Sequence, residues 1–211
     1  MLDRVRGIPG ETFRPVTAYR NDLSPLWARI DRFDKLERLQ HFRQPEDASW
    51  RAFAAGHWEE SLELSERNRP EVVAEFAEDA RLGYNSYRVR VVEFPIAPYL
   101  QWEMYRFTIR VECGENLRVV GPDALARFEK SSIVPELIFM GSLAMYEVLY
   151  DETGVLAGGR RFTDPSLISG CRAEVQALYE EGEDFRTFFE REIAPLPPPT
   201  VDPELTRTTG W

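Results

Sequence analysis

The stretch Tyr87-Arg88-Val89-Arg90-Val91-Val92-Glu93-Phe94 constrains this chain more than any other, because β-branched and aromatic residues crowd a segment bounded by Gly83 and Pro95. It reads as a β-strand. Alternation along a strand sends Val89 and Val91 to one face and Arg88, Arg90 and Val92 to the other. One face is therefore apolar and the second is mixed, and the two arginines on it require polar partners.

The residues after the strand fix its setting. From Pro98, the residues Leu100, Met104, Phe107 and Val111 recur at three- and four-residue spacing, which predicts an amphipathic helix ending near Gly114. A second strand, Asn116–Val120, completes a βαβ-like unit of parallel type. Glu136–Met140 and Ala144–Tyr150 read as two further strands turning near Gly141-Ser142. Asp151-Glu152-Thr153-Gly154 is a tight-turn signal before a last strand near Val155–Phe162. Asp164-Pro165 then caps a helix with Ile168, Cys171, Val175, Leu178, Phe185 and Phe189 on its apolar face, open to interruption at Gly182.

The first eighty residues read as mainly helical. Ser24-Pro25 offers an N-cap and a first-turn proline, with Leu26, Ile30 and Phe33 spaced behind it; Leu36–Leu39 fits helix or short strand equally. Pro45-Glu46-Asp47 opens a stretch with Trp50, Phe53 and Ala54, a segment with Trp58, Leu62 and Leu64 follows, and Arg69-Pro70 begins a helix stopped by Gly83. The expected fold is α/β (α+β): a mixed sheet with a βαβ-like unit, a mainly helical N-terminal region and a C-terminal helix. A single domain over residues 24–194 is expected between an N-terminal arm, 1–23, and a proline-rich tail, 195–211. Pro195 and Pro198 give the tail PxxP spacing, which proline spacers share with recognition motifs.

Charge and motifs exclude several functions. A formal net charge of −10 disfavours sequence-independent attraction to phosphate backbones or anionic lipid, so neither nucleic acid nor membrane is an expected partner. Arg4, Arg6, Arg14 and Arg20 make the first twenty residues locally basic, without an interleaved aromatic platform. Cys113 and Cys171 form no CxxC, His41 and His57 have no metal-ligand spacing, and GxSxG, GxGxxG and Walker loops are missing; Gly158-Gly159 reads as a turn or bulge. No apolar run reaches membrane-span length and no signal-peptide pattern opens the chain, so the cytoplasm is the expected compartment. No catalytic residue, metal ligand or cofactor is assigned.

Two sets of polar residues stand out. Asp79, Glu93, Glu103 and Glu112 are candidates for a paired-carboxylate site, against which a chain with 36 acids offers such pairs by chance. Arg88, Arg90, Tyr99, Glu103 and Arg106 are the candidate ligand-binding residues, lying where a strand's mixed face leads into the next helix. The competing structural reading pairs Glu103 with Arg106, three residues along the helix, or with Arg90.

The segments Arg88–Glu93, Tyr99–Glu103 and Gly114–Arg118 resemble the RVRVV–P–Y–E–AGE-DIR pattern of an actinobacterial family of undescribed function, often encoded beside helix-turn-helix regulators. Pro135–Phe139, Tyr150–Gly154, Thr163–Pro165 and, upstream, Leu36–Phe42 extend the likeness over roughly residues 30–190. Met140 and Gly141 replace the aspartate that ends the family's central strand, and the RDxAW element of its last helix is missing. The resemblance implies a bacterial cytoplasmic, regulatory setting, with a helix-turn-helix regulator or self-association as the partner. A non-catalytic regulatory or protein-interaction role follows; the alternative is an enzyme or small-ligand binder using the constellation around Arg90 and Glu103. The element order also resembles half of a phospholipase-D-like domain, whose HxK is missing, which implies a degenerate site.

Overall fold

In the computed structural model, which describes residues 1–201, the strand Asn85–Val91 (β3) sits inside an eight-stranded mixed sheet. The remaining strands are Glu11–Phe13 (β1), Arg32–Glu37 (β2), Asn116–Val120 (β4), Leu137–Met140 (β5), Ala144–Tyr150 (β6), Leu156–Phe162 (β7) and Glu183–Asp184 (β8). Their order is β1-β7-β6-β5-β2-β3-β4-β8. The helix Pro98–Glu112 (α5) links β3 to its parallel neighbour β4, as a crossover between parallel strands requires. β2 is also parallel to β3, while β5, β6 and β7 form an antiparallel meander joined to the other edge of β2.

One face of the sheet is mainly apolar. Leu36, Val89, Val91, Leu137, Phe139 and Met145 point from successive strands into a core closed by Ile168, Cys171, Val175 and Leu178 of the helix Pro165–Glu181 (α6). Asp164 caps α6 by accepting from the Leu167 N–H at 2.7 Å. The chain breaks at Gly182, as expected, and re-enters as β8 and the short helix Phe185–Phe188 (α7).

The opposite face is shared by two separate covers. The helix Val16–Leu23 (α1) and the 3-10 turn Ser24–Arg29 pack Tyr19, Leu23 and Ile30 over Ile138, Met140 and Tyr146. On the other side α5 lies across β3 and β4, burying Leu100, Met104 and Phe107 against Leu117 and Val119. The helices Ala48–Ala54 (α2), Trp58–Arg67 (α3) and Arg69–Leu82 (α4) buttress α5 from outside, with Trp50 and Phe53 meeting Tyr99 and Trp102. Gly83, at φ +87°, ends α4 in the left-handed conformation that favours glycine.

Two expectations need correction. The helix expected from Ser24 lies earlier, as α1; Ser24–Arg29 is a 3-10 turn, and Phe33 belongs to β2, where its neighbours pair with both β3 and β5. Leu36 is a strand residue. Residues 1–23 are no loose arm: Leu2 and Val5 are buried in the apolar core and β1 pairs with β7. Gly158 and Gly159 lie within β7 next to a bulge, one of the two expected readings, where the register against β6 shifts between Leu149 and Tyr150; side chains there would strike the Phe13 carbonyl and the Tyr19 ring, so these glycines let the N-terminal segment dock.

The proline-rich segment also touches the body as far as it is described. The Pro197 carbonyl accepts from Gln101 Nε2 at 2.9 Å, and Val201 packs against the Phe42–Tyr99–Trp102 cluster. The rest of the expected tail, 202–211, lies outside the described residues. Among the described residues no helix is long and apolar enough to cross a membrane.

Replacing Phe139, fully buried at the centre of the sheet, by alanine is expected to cost about 3–5 kcal/mol in urea unfolding. Phe94→Ala, at a position 60% exposed, is expected to stay within about 0.5 kcal/mol.

Candidate functional site

The register of β2 against β3 sets Lys35 opposite Arg88 and Glu37 opposite Arg90. Period-two alternation places these four on the face away from α6, so two adjacent parallel strands present charges of both signs side by side. Burying them requires counter-charges in fixed positions, since an unpaired interior charge costs several kcal/mol. Lys35 Nζ lies 2.5 Å from Glu37 Oε1, and Arg88 Nη1 lies 2.6 Å from Glu37 Oε2. Arg88 Nη2 reaches Glu115 Oε1 at 2.7 Å, and Arg110 Nε reaches Glu115 Oε2 at 2.8 Å before fanning out to Glu75. The result is a chain of alternating sign running from the sheet to the surface.

A second branch starts at Arg90, which has no solvent exposure. Its Nε donates to Glu103 Oε2 at 2.8 Å, and its Nη1 donates to the Glu37 and Val91 carbonyls. Tyr99, one helical turn before Glu103, donates its hydroxyl to Oε1 at 3.0 Å and accepts from Gln44 Nε2 at 2.7 Å. Gln44 Oε1 in turn accepts from Arg106 Nη1, which pairs with Asp47 at 2.8 Å. The buried Arg90–Glu103 pair is thus tied to polar groups on the loop between β2 and α2.

These surroundings set the protonation states. Burial pushes Glu37 up, but Arg88, Lys35 and Arg90 outweigh it and hold the carboxyl well below its ordinary value. Burial of Glu115 is likewise outweighed by Arg88 and Arg110. For Glu103 burial wins, helped by Glu37, and its pKa is raised despite Arg90. Glu136, just before β5, is pushed up to about 7 by burial and by Glu37. Its Oε1 accepts from the Arg38 and Leu39 N–H groups, while Oε2 has no partner among the described residues.

Between α1 with its following turn and α5 with the 42–47 loop, the polar face of the sheet opens into a cleft of about 1350 Å³. Lys35, Glu37, Arg88, Ile138, Val148 and Tyr150 line it from the strands. Trp27 and Phe33 line one side; Phe42, Tyr99, Trp102 and Arg106 line the other.

All five residues singled out from sequence fall in this region, in two ways. Arg88, Tyr99, Glu103 and Arg106 line the cleft, whereas Arg90 lies beneath it and anchors Glu103. Glu103 pairs with Arg90 and not with Arg106, so the structural pairing across strand and helix is present alongside the cleft. The four candidate carboxylates do not converge: Asp79 accepts from Tyr84 and Ser86, while Glu93, Glu103 and Glu112 face Arg38, Arg90 and Arg69 respectively. His41 packs on Tyr99 and His57 is exposed beside Glu60. Among the described residues no three His, Cys, Asp or Glu side chains are grouped to hold a metal.

Sequence reasoning missed Lys35, Glu37, Glu115, Glu136 and Arg43. For Lys35 and Glu37 the available signal was the alternation Phe33-Asp34-Lys35-Leu36-Glu37, hidden because charged residues on a strand are ordinarily assigned to solvent.

The sequence model of a family described as "Domain of unknown function (DUF6879)" matches residues 21–190, from the end of α1 to the π-helical turn Phe189–Ile193 that follows α7. No curated protein matches the chain.

Arg90→Met strands Glu103 in the interior and is expected to destabilise by about 3–5 kcal/mol; adding Glu103→Leu is expected to recover most of that loss in urea unfolding. A native Glu136 keeps the proton that an unfolded chain releases between about pH 4.5 and 7, so its contribution to stability falls as pH rises through that window. Glu136→Gln is therefore expected to gain up to about 3 kcal/mol at pH 8 relative to pH 4, measured as the change in unfolding free energy against wild type.

Proposed function

The chain belongs to this family of unknown function, and from that premise and the geometry of its cleft we propose a non-catalytic, regulatory binding module that takes a small polar ligand. The observation that carries the reading is the cleft itself: about 1350 Å³ of space over fixed charges on rigid central strands, between aromatic walls. Apolar walls supply burial, and a few polar groups fixed in place supply orientation, which is the composition of small-ligand sites. The strand-borne cations Lys35 and Arg88 are tied to Glu37, an arrangement that holds donors in position for recognition.

The regulatory part, and with it a bacterial cytoplasmic setting, rests on the resemblance to proteins encoded beside helix-turn-helix regulators. Ligand uptake would then alter contact with such a regulator or with a second copy of the chain. Arg88, Tyr99, Glu103 and Arg106 act as ligand-facing residues in this reading, with Arg90 positioning Glu103.

A metabolite library screened by ligand-observed NMR tests it. Wild-type protein is expected to give hits that bind at least ten times more weakly to Val148→Trp, which fills the floor, and to Thr17→Trp, which narrows the rim. Circular dichroism of each variant should match wild type. An absence of hits, or hits indifferent to both substitutions in folded protein, would count against the cleft.

A further inference from the structure

We propose that the ligand of this cleft carries an oxyanion, a carboxylate or a phosphate, and that Arg43 beside Trp50 is its seat; the proposal rests on the binding reading above. Of the six cationic side chains lining the cleft, Lys35, Arg88, Arg106 and Arg110 each lie within ion-pair distance of a carboxylate, and the exposed Arg20 has no such partner among the described residues. Arg43 also lines the cleft but pairs with no carboxylate among the described residues. Its backbone is fixed: its N–H donates to the Gly154 carbonyl at 2.9 Å, and it forms an isolated bridge with Val155. Its guanidinium carbon lies 5.8 Å from the centre of the Trp50 ring.

Buried nitrogens without partners among the described residues surround Arg43, which lines the cleft, while Trp50 and His41 lie behind it and are not themselves part of the lining. Arg43 Nε and Trp50 Nε1 are buried donors without an acceptor among the described residues, and Trp50 is only 4% exposed. His41 Nε2, two residues before Arg43, is likewise buried and unpaired. Burial and the Arg43 charge lower the His41 pKa, leaving the ring neutral and able to donate through one nitrogen.

Of the nearby acids, Glu46 lines the cleft, exposed and without a cationic partner among the described residues, whereas Asp151 and Asp47 are already engaged, Asp151 also feeling the Arg43 charge. Asp151 accepts from Thr153 and Val155, and Asp47 accepts from the Trp50 N–H and pairs with Arg106. A ligand bringing acceptor oxygens would meet the Arg43 guanidinium from the cleft, and a planar guanidinium suits carboxylate or phosphate equally.

The test uses the full chain with sodium phosphate and sodium acetate as probes, each against sodium chloride at matched ionic strength, read by thermal shift and tryptophan fluorescence. Expected is a saturable rise in Tm with at least one of the two, and the stronger probe assigns the oxyanion as phosphate or carboxylate. The apparent affinity should fall at least tenfold in Arg43→Ala, recover in part in Arg43→Lys, and stay unchanged in the exposed control Arg4→Ala. No anion effect beyond chloride, or an equal effect in Arg43→Ala, overturns the proposal. If the library yields neutral or cationic hits blocked by Val148→Trp while both anions are inert, the anion seat fails and the cleft reading stands. If the library yields nothing but an Arg43-dependent anion effect appears, the seat stands and the small-molecule cleft fails.

Discussion

The ion pairs of Arg88 with Glu37 and Glu115, and of Arg90 with Glu103, are the constraint around which the polar side of this protein is arranged. They centre on β3 in the middle of the sheet and reach to β2, to α5 and to the turn before β4, where hydrophobic residues of the same volume would pack at least as stably. Their consequence is specificity of placement. Glu103 must stand over β3 and Glu115 must stand before β4, so α5 is pinned by charges near its start and just beyond its end. A shift of α5 by one residue would leave Arg90 buried without its partner.

The two faces of the sheet answer different demands. α6 covers strands whose inward residues are mainly aliphatic or aromatic, with Asp34 of β2 met by Arg172 of the helix, so close packing suffices for most of that contact. The opposite face carries Lys35, Glu37, Arg88 and Arg90 in its centre, and the helix that reaches over β3, α5, must bring Glu103 to meet Arg90. Covering elements therefore dock on either side of it: α1 and its turn on the apolar β5–β7 region, α5 on β3 and β4. The cleft is the interval between them. Its position follows from where charges interrupt the apolar surface of one sheet face.

The same division decides which parts were legible in the sequence. β3, α5, β4, the β5–β7 meander and α6 follow from local periodicity and turn chemistry, because each buries a regular apolar stripe. β2 is harder to read, since its cleft-facing positions alternate Phe33, Lys35 and Glu37 and mimic a solvated face. The docking of residues 1–23 is not a local property at all. It depends on glycines far along the chain, Gly158 and Gly159, that admit Phe13 and Tyr19, a distance no window of sequence spans. For the candidate residues, the mixed face of β3 announces Arg88 and Arg90, whereas Glu37, Glu115 and Glu136 become partners only once β2, β4 and β5 come together around it.

Net charge is the last property that changes meaning between sequence and structure. The overall −10 argues against generic attraction to polyanions, and that argument concerns the field at a distance. Much of the acidity belongs to α3 and α4, where Glu59, Glu60, Glu63, Glu71 and Glu78 face solvent. At physiological salt their influence decays over a Debye length of about 8 Å. Within the network, Lys35, Arg88, Arg90 and Arg110 are balanced by Glu37, Glu75, Glu103 and Glu115. Glu136 is held near neutral pH, where a proton relieves part of its charge. The local balance at the strands is therefore close to even, and the sign that a small ligand meets is set by the surrounding side chains, where Arg20 and Arg43 stand against Glu46 and Glu71.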